Sequence, residues 1–378
     1  MAHRTKLQAV RNELGYSAAT TISLLTRHAH ARRIPIMTAA SLKTKLSRWE
    51  NGHEAVGLPE YRRLFREVYG RTDAELGFPA TDVPGPADDL RARIAAARTV
   101  DPTTIAAFRA QIENTRRLDR QFGGLTQLDQ LRQQIDQVGG LLAHGPAAGH
   151  RASLAEALTE ASTLAGWQAL DRDDHTQAWS HYERAKNAAR EAGSTLLLAH
   201  ATAEQGFVLT ALGENTYAAE QTAHARALAA DGPALLRAWL AAAHGETLAA
   251  TGQREAALRA FDDAHAQLPG DSVDPALPFL FLGGAHLDRW RGNALAQLGD
   301  HEAINDLGSA LARLPQSWVR VRAALLVDLA FAHTAAGDRD AALTHARTAR
   351  QLAQQIHSDR HLRRLAALVL PTGGRATA

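Results

Sequence analysis

The chain has 378 residues, 45% of them hydrophobic, and no cysteine. That length accommodates two or three domains with sizeable cores, and the lack of thiols excludes disulfides, thiolate metal sites, thiol nucleophiles and cysteine-held iron–sulfur clusters. The net charge of +2 hides an asymmetry: residues 1–80 carry 13 Lys and Arg against 7 Asp and Glu, whereas the remainder carries 29 against 33. Positive charge gathered in one small region suits a polyanionic partner for that region.

Alanine, leucine, arginine and glutamine dominate, aromatics are only 5%, and no period-2 strand pattern occurs. These are good helix formers, so an all-α fold is expected. The first residues carry no apolar leader-like segment, and no run of about 18 apolar residues appears. The expectation is a cytoplasmic protein without membrane contact.

In chain order, Lys6 to Leu14 reads as a short amphipathic helix with Leu7, Val10 and Leu14 on one face, ended by Gly15. Ser17 caps a second helix that turns Ile22, Leu25 and Ala29 inward, and Ile34-Pro35-Ile36 breaks it. A third helix is expected from about Ser41 to Glu50, stopped by Asn51-Gly52. Its Leu42, Leu46 and Trp49 recur at core spacing, which leaves Lys43, Thr44, Ser47 and Arg48 on the other side. Pro59 opens a fourth helix through Tyr61, Leu64 and Val68 to Tyr69, and Asp73 to Leu76 closes this head. The stretch from about Arg33 to Ala40 is longer than the usual turn of three or four residues, either as an extended second helix or as an elongated loop.

The segment Leu46-Ser-Arg-Trp-Glu-Asn-Gly52, with Tyr61-Arg-Arg-Leu64 and Tyr69-Gly-Arg-Thr-Asp-Ala-Glu-Leu-Gly-Phe78 behind it, resembles the third to fifth helices of the phage-repressor-type (Xre) helix-turn-helix domain. The resemblance implies a double-stranded DNA operator as partner, with the third helix in the major groove. Arg48 is then placed to read guanine, and Ser47 and Thr44 to read base or phosphate. Lys43 and Lys45 suit phosphates, and Arg32, Arg33, Arg62 and Arg63 suit backbone contacts from the flanks.

Residues 1–78 are therefore taken as the head. Pro79, Pro84, Gly85 and Pro86, beside Asp82, Asp88 and Asp89, mark a poorly helical linker over 79–89. Helical stretches continue over 90–98, 103–122 and 125–142, punctuated by Gly123-Gly124 and Gly139-Gly140. Two readings of 90–147 stand side by side: a connector that pairs two chains, or the irregular first part of a repeat domain.

Residues 148–370 are periodic. Gly166, Gly206, Gly245 and Gly292 recur, with Ala330 in the next place, and seven residues after each comes a turn: Asp173, Gly213, Gly252, Gly299 and Gly337. Paired alanines follow each turn: Ala178 and Ala185, Ala218 and Ala225, Ala257 and Ala264, Ala303 and Ala310, Ala342 and Ala349. The segment from Gly252 through Ala257, Phe261 and Ala264 to Pro269 resembles the second helix of a tetratricopeptide repeat, at a longer period than consensus. The one long step spans Gly270 to Pro278, a turn-rich insertion. The resemblance implies an α-solenoid whose first helices line a groove. The groove-facing positions named from the repeat register are Glu160, Trp167, His200, Phe207, Trp239, Glu246, His286, Arg289, Asn293 and Phe331. Aromatics interleaved with polar groups suit a peptide or an amphipathic small-molecule effector.

Catalytic fingerprints are missing: no dinucleotide or P-loop glycine motif and no nucleophile elbow. Eighteen histidines invite a metal, but His357 and His361 lack the His-Glu-x-x-His arrangement and His28 and His30 cannot share a helix face. No enzyme activity, metal or cofactor is expected. The arrangement as a whole resembles Xre-type regulators with a C-terminal tetratricopeptide sensor, in a layout similar to the peptide-sensing RRNPP regulators of quorum-sensing systems. That implies a homodimer on an operator with two half-sites. The alternative is an interaction protein whose repeats dock a protein partner and whose head localises it on DNA.

Overall fold

The computed structural model describes residues 5–78, 86–122 and 128–370. Every regular element among them is a helix, and the chain divides into two compact units, Met1–Asp89 and Leu90–Ala378.

The first unit contains α1 (Lys6–Glu13), α2 (Ala18–Ala31), α3 (Ala39–Glu50), α4 (Pro59–Tyr69) and α5 (Asp73–Leu76). Side-chain caps set most of the starts. Ser17 accepts from the Thr20 amide, and Thr72 and Glu75 form a reciprocal capping box on α5. Thr38 accepts from the Ser41 amide, so α3 begins at Ala39, slightly before the start expected at Ser41. The α2–α3 connection is the elongated loop of the two expected alternatives. It is pinned where the Met37 amide donates to the Tyr61 hydroxyl at 2.9 Å, and Ile34, Ile36 and Met37 pack against the core.

The Trp-Glu-Asn-Gly end of α3 has a structural job. Trp49 lies 5.4 Å from the Tyr61 ring and 5.9 Å from Phe65. Glu50 is buried and accepts two hydrogen bonds from Arg11, at 2.6 and 2.9 Å, which ties α1 to α3. Burying that carboxylate is tolerable because its partner is bidentate.

In the second unit, α6 (Pro86–Arg98), α7 (Pro102–Phe122) and α8 (Leu128–Ala143) precede five helix pairs. The linker expected over 79–89 falls mostly outside the described residues, but Pro86 to Asp89 already form the first turn of α6. Gly123-Gly124 and the start expected at Leu125 also lie outside them, whereas Gly139-Gly140 continue α8 instead of punctuating it. Val138 and Leu142 on either side of those glycines are buried, and that packing outweighs the weak helix propensity of glycine. The five pairs are α9 (Ala148–Asp171) with α10 (His175–Ala192), α11 (Thr195–Leu212) with α12 (Asn215–Leu228), α13 (Ala234–Ala250) with α14 (Arg254–Gln267), α15 (Gly284–Gln297) with α16 (Glu302–Arg313), and α17 (Val319–Ala335) with α18 (Arg339–Gln355). A last helix, α19 (Asp359–Ala366), comes after them.

Each pair packs internally, and the first helices α9, α11, α13, α15 and α17 stack in succession as an inner layer. The glycine of each first helix meets the partner helix. A Cβ at Gly166 would stand 2.8 Å from the Tyr182 ring, at Gly206 3.0 Å from Thr222, at Gly245 2.7 Å from Phe261 and at Gly292 2.7 Å from Leu307. In the first three pairs the opposing residue lies sixteen positions later. In the fifth pair that spacing runs from Ala330 to Ala346, so a small opposing side chain coincides with the one slot filled by alanine. The turns also need left-handed backbone: φ is +64° at Asp173, +84° at Gly213, +80° at Gly252, +72° at Gly299 and +79° at Gly337.

Two helices outside the pairs link the ends of the stack. Helix α7 packs against both α9 and α17, and α19 packs against α9 and α17 as well. The first and last pairs are thus bridged twice.

Gly245→Ala is expected to destabilise the second unit by about 1–3 kcal/mol, because the buried Phe261 ring cannot yield. Ala330→Gly, in the slot already wide enough for a methyl group, is expected to cost about 1 kcal/mol or less, through helix propensity alone. Denaturant unfolding of the two variants checks the ranking.

Candidate ligand cavity and DNA-facing helix

The inner helices, α7, α19 and the loop after α14 together line a partly open cavity of about 270 Å³. Nine of the ten groove-facing positions expected from the repeat register line it. Trp167 comes from α9, His200 and Phe207 from α11, Trp239 and Glu246 from α13, and His286, Arg289 and Asn293 from α15. Glu160, named from the same register, also lines it. Phe331 is not on the wall; its ring lies 5.5 Å beneath the Arg364 guanidinium, which is.

The aromatic lining forms two groups of touching rings, one around Trp239 and one around Trp318. His200 lies 4.7 Å from Trp239 and 4.8 Å from Phe279, Trp239 lies 5.5 Å from Trp290, and Phe281 lies 5.2 Å from Trp318. Four of the chain's six tryptophans line this cavity, although aromatics are scarce in the sequence. Rings of this kind make apolar walls with polarisable faces.

Phe279 and Phe281 lie just beyond the turn-rich insertion read from sequence over Gly270 to Pro278, in the same loop between α14 and α15. Its Leu277, Leu280 and Leu282 are buried, which aims the two phenylalanines at the cavity. The Pro278 carbonyl accepts from Arg116 of α7 at 3.1 Å, so the insertion is held from the opposite wall. The apolar run from Leu277 to Leu282 was the available signal.

Five arginines line the cavity, and three are paired. Arg116 meets Glu113 at 2.5 Å and Glu160 at 3.4 Å. Arg320 meets Asp119 at 2.9 Å and Asp171 at 3.3 Å, and Arg364 meets Asp328 at 2.8 Å. Arg116 and Asp119 escaped the sequence reading because α7 carries no repeat signature; Arg320, Asp328, Arg360 and Arg364 escaped it because their positions are not aromatic or central in the register. Arg289 and Arg360 form no ion pair or hydrogen bond among the described residues. Arg289 lies over Trp290 at 5.9 Å and Arg360 over Trp167 at 5.7 Å.

Titration in the cavity is displaced by burial. It pushes Glu204 up to about 7, against the opposing hydrogen bond from the Tyr182 hydroxyl at 3.1 Å and the charge of Arg360. Burial also raises Glu246, against Arg289 and the hydrogen bond from Asn293 at 3.0 Å. His200 and His361 are pushed down to about 3, again mainly by burial, so both are neutral near pH 7. The 3.7 Å approach of His200 to Glu204 is therefore not a charge pair there. No cluster of metal-ligating side chains occurs among the described residues.

In the first unit, Lys43, Thr44, Ser47 and Arg48 are exposed along one side of α3, opposite buried Leu42, Leu46 and Trp49. Arg48 Nε lies 3.3 Å from Glu54, to which Lys45, half-buried, is also ion-paired. Arg32 pairs with Glu67 at 2.8 Å, and Arg33 is exposed with a left-handed backbone, φ +57°. Arg63 is exposed beside the same Glu67, at 3.2 Å. Arg62, expected on the flank, is instead buried and donates to the Val56 carbonyl at 2.6 Å. One turn of helix separates it from Arg66, but its face is the core face of α4, set by neighbours Tyr61 and Phe65.

No protein-family model matches the chain, and no curated protein matches it. Among solved structures, it is similar to a Rap protein complexed with competence and sporulation factor, at 14% identity and a TM-score of 0.49, over 89% of this chain and 87% of that one. It is also similar to BtubC (BKLC) from P. vanneervenii, at 17% identity and a TM-score of 0.41, over 67% of this chain and 96% of that one. Both TM-scores lie below 0.5, so the site is read from its own residues. No helix among the described residues is long and apolar enough to cross a membrane.

Glu204 gives a test of the cavity's electrostatics. Its folded pKa stands above the ordinary 4.5, so the stability it contributes is complete below pH 4.5 and is lost as pH rises through about 7. Glu204→Gln is expected to flatten that part of the profile: the variant gains stability relative to wild type between pH 5 and about 7.5. Thermal melts across this range check the sign.

Proposed function

We propose that this protein is a sequence-specific DNA-binding regulator of the Xre helix-turn-helix type whose repeat unit binds a small effector that alters operator binding. The observation that carries the DNA half is the exposed side of α3. Lys43, Thr44, Ser47 and Arg48 project from a helix whose other side is fixed by Leu42, Leu46 and Trp49. Such a face matches a major groove, with Arg48 suited to guanine and Lys43 to phosphate. The Glu54 carboxylate pairs with Arg48 and Lys45 in the free protein, and DNA would have to replace it at both. Arg32 and Arg33 at the loop's start would meet the backbone.

The sensor half rests on the cavity. Its walls come from all five pairs, so a ligand there bears on the packing of the whole unit. An effector shifts operator affinity only through a difference in its affinity for two states of the protein. A homodimer on a two-half-site operator is part of the Xre reading, as is a location in the cytoplasm. The cavity's groups are suited to binding and orienting a ligand, so the proposed role is recognition.

Capture of genomic fragments by the full chain at about 150 mM salt, where non-specific binding is suppressed, is expected to enrich a roughly palindromic site. Arg48→Ala is expected to weaken binding to that site by about 1–3 kcal/mol with the helical content unchanged, since Arg48 is exposed. Wild-type affinity in that variant refutes the placement of α3 in the groove.

A further inference from the structure

We infer that the cavity of the repeat unit is a receptor for a small aromatic carboxylic acid, its carboxylate held between Arg289 and Arg360 and its ring among the tryptophans. This rests on the proposal that the cavity is the effector site and specifies the chemistry of its ligand.

The lining carries five arginines and also five carboxylates, Asp119, Glu160, Glu204, Glu246 and Asp328, so the opening for an anion lies only at the arginines left unpaired. Three of the five cavity arginines already have carboxylate partners, and Arg289 and Arg360 have none among the described residues. Arg289 Nε is buried without a hydrogen-bond partner. Both side chains are half-buried, so each guanidinium keeps donors open to a ligand in the cavity. Both arginines line the same cavity as Glu246 and act on it electrostatically, yet neither pairs with it. A planar carboxylate offers two oxygens to each guanidinium fork.

Nearby acids argue for a single negative charge. Glu246 and Asp328 both lie within electrostatic reach of Arg360. A doubly charged phosphate monoester would meet more repulsion there than a carboxylate. One helical turn beyond Arg289, Asn293 keeps its Oδ1 buried and unpartnered while its amide nitrogen serves Glu246. That acceptor matches a hydroxyl or N–H on the ligand.

Size and walls favour a small ligand over a long peptide. The volume is about 270 Å³, enough for one or two fused rings and an acid group. The loop after α14 places Phe279 and Phe281 inside, and α7 spans from α9 to α17. An extended peptide would have to displace one of them. Both unpaired arginines already stack on indoles, Arg289 on Trp290 and Arg360 on Trp167, so acid and ring subsites adjoin.

The test is titration of the full chain, without DNA, followed by tryptophan fluorescence and calorimetry. The probes are salicylate, indole-3-acetate and 2-naphthoate, against indole-3-acetamide, phenyl phosphate and a hydrophobic hexapeptide. The expected result is saturable binding of at least one acid, with the amide and phenyl phosphate weaker by roughly thirtyfold or more. Arg289→Gln and Arg360→Gln are each expected to lose binding of that acid by a similar factor while retaining the wild-type circular dichroism. The acid-versus-amide comparison on wild-type protein stands even where a variant misfolds. Equal binding of acid and amide, or preference for the phosphate or the peptide, overturns the inference and leaves the cavity as an effector site. No binding by any probe overturns the inference as well; a screen of neutral metabolites by melting temperature then shows whether the effector-site reading falls with it.

Discussion

One buried arginine holds the ends of the repeat stack together. Arg320 on α17 reaches Asp119 on α7 at 2.9 Å and Asp171 on α9 at 3.3 Å, the second as an ion pair without hydrogen-bond alignment. Asp171 also accepts from Ser358 at 2.7 Å, and Ser358 caps α19; Asp119 accepts from Gln168 at 3.1 Å. Burial alone would raise Asp171, yet chiefly the charge of Arg320, with the hydrogen bond from Ser358, holds it below the ordinary carboxylate range. Both carboxylates are nearly inaccessible, and the arginine is 6% exposed. Removing one member of such a buried group leaves uncompensated charge and costs on the order of 3–5 kcal/mol. The same group adds little net stability over a hydrophobic equivalent, so its consequence is positional. It fixes four helices, drawn from the start and the end of the unit, around one space.

That space is a product of how the pairs pack. Glycine in four first helices lets the second helix approach closely enough for Tyr182, Thr222, Phe261 and Leu307 to seat against backbone. The large side chains of the inner layer then have their outer flank closed and turn inward. A stack held open at its ends would leave those tryptophans facing water. With α7 and α19 bridging first and last pairs, they face a confined volume in which burial displaces the titration of Glu204, Glu246, His200 and His361. Low dielectric there also strengthens whatever a ligand offers to Arg289 and Arg360.

Much of this was legible in the sequence because it is local or periodic. The head's helices are set by caps and breakers such as Ser17, Pro59 and Gly70, and the core face of α3 by Leu42, Leu46 and Trp49. The repeat register placed Trp167, His200, Trp239 and Asn293 on the cavity wall, since a fixed period carries each first helix to an equivalent orientation. The contacts that the register missed have no period. Arg320 meets Asp119 across 201 residues, and Ser358 meets Asp171 across 187. The insertion over Gly270 to Pro278 breaks the repeat, so Phe279 and Phe281 directly after it have no place in the register. Arg62 shows the converse limit: an arginine is read as exposed by default, and only the carbonyl of Val56 explains its burial.

The central claim is that α7 and α19 close the stack through Arg320 and thereby make the cavity. Hydrogen exchange on the full chain, comparing wild type with Arg320→Ala, tests it most directly. The account predicts slow exchange over residues 102–119 and 359–366 in the wild-type protein, and faster exchange in both segments together in the variant, with α11 to α14 unchanged. Rapid exchange of α7 in the wild type, or a variant in which α7 and α19 remain protected, would contradict it.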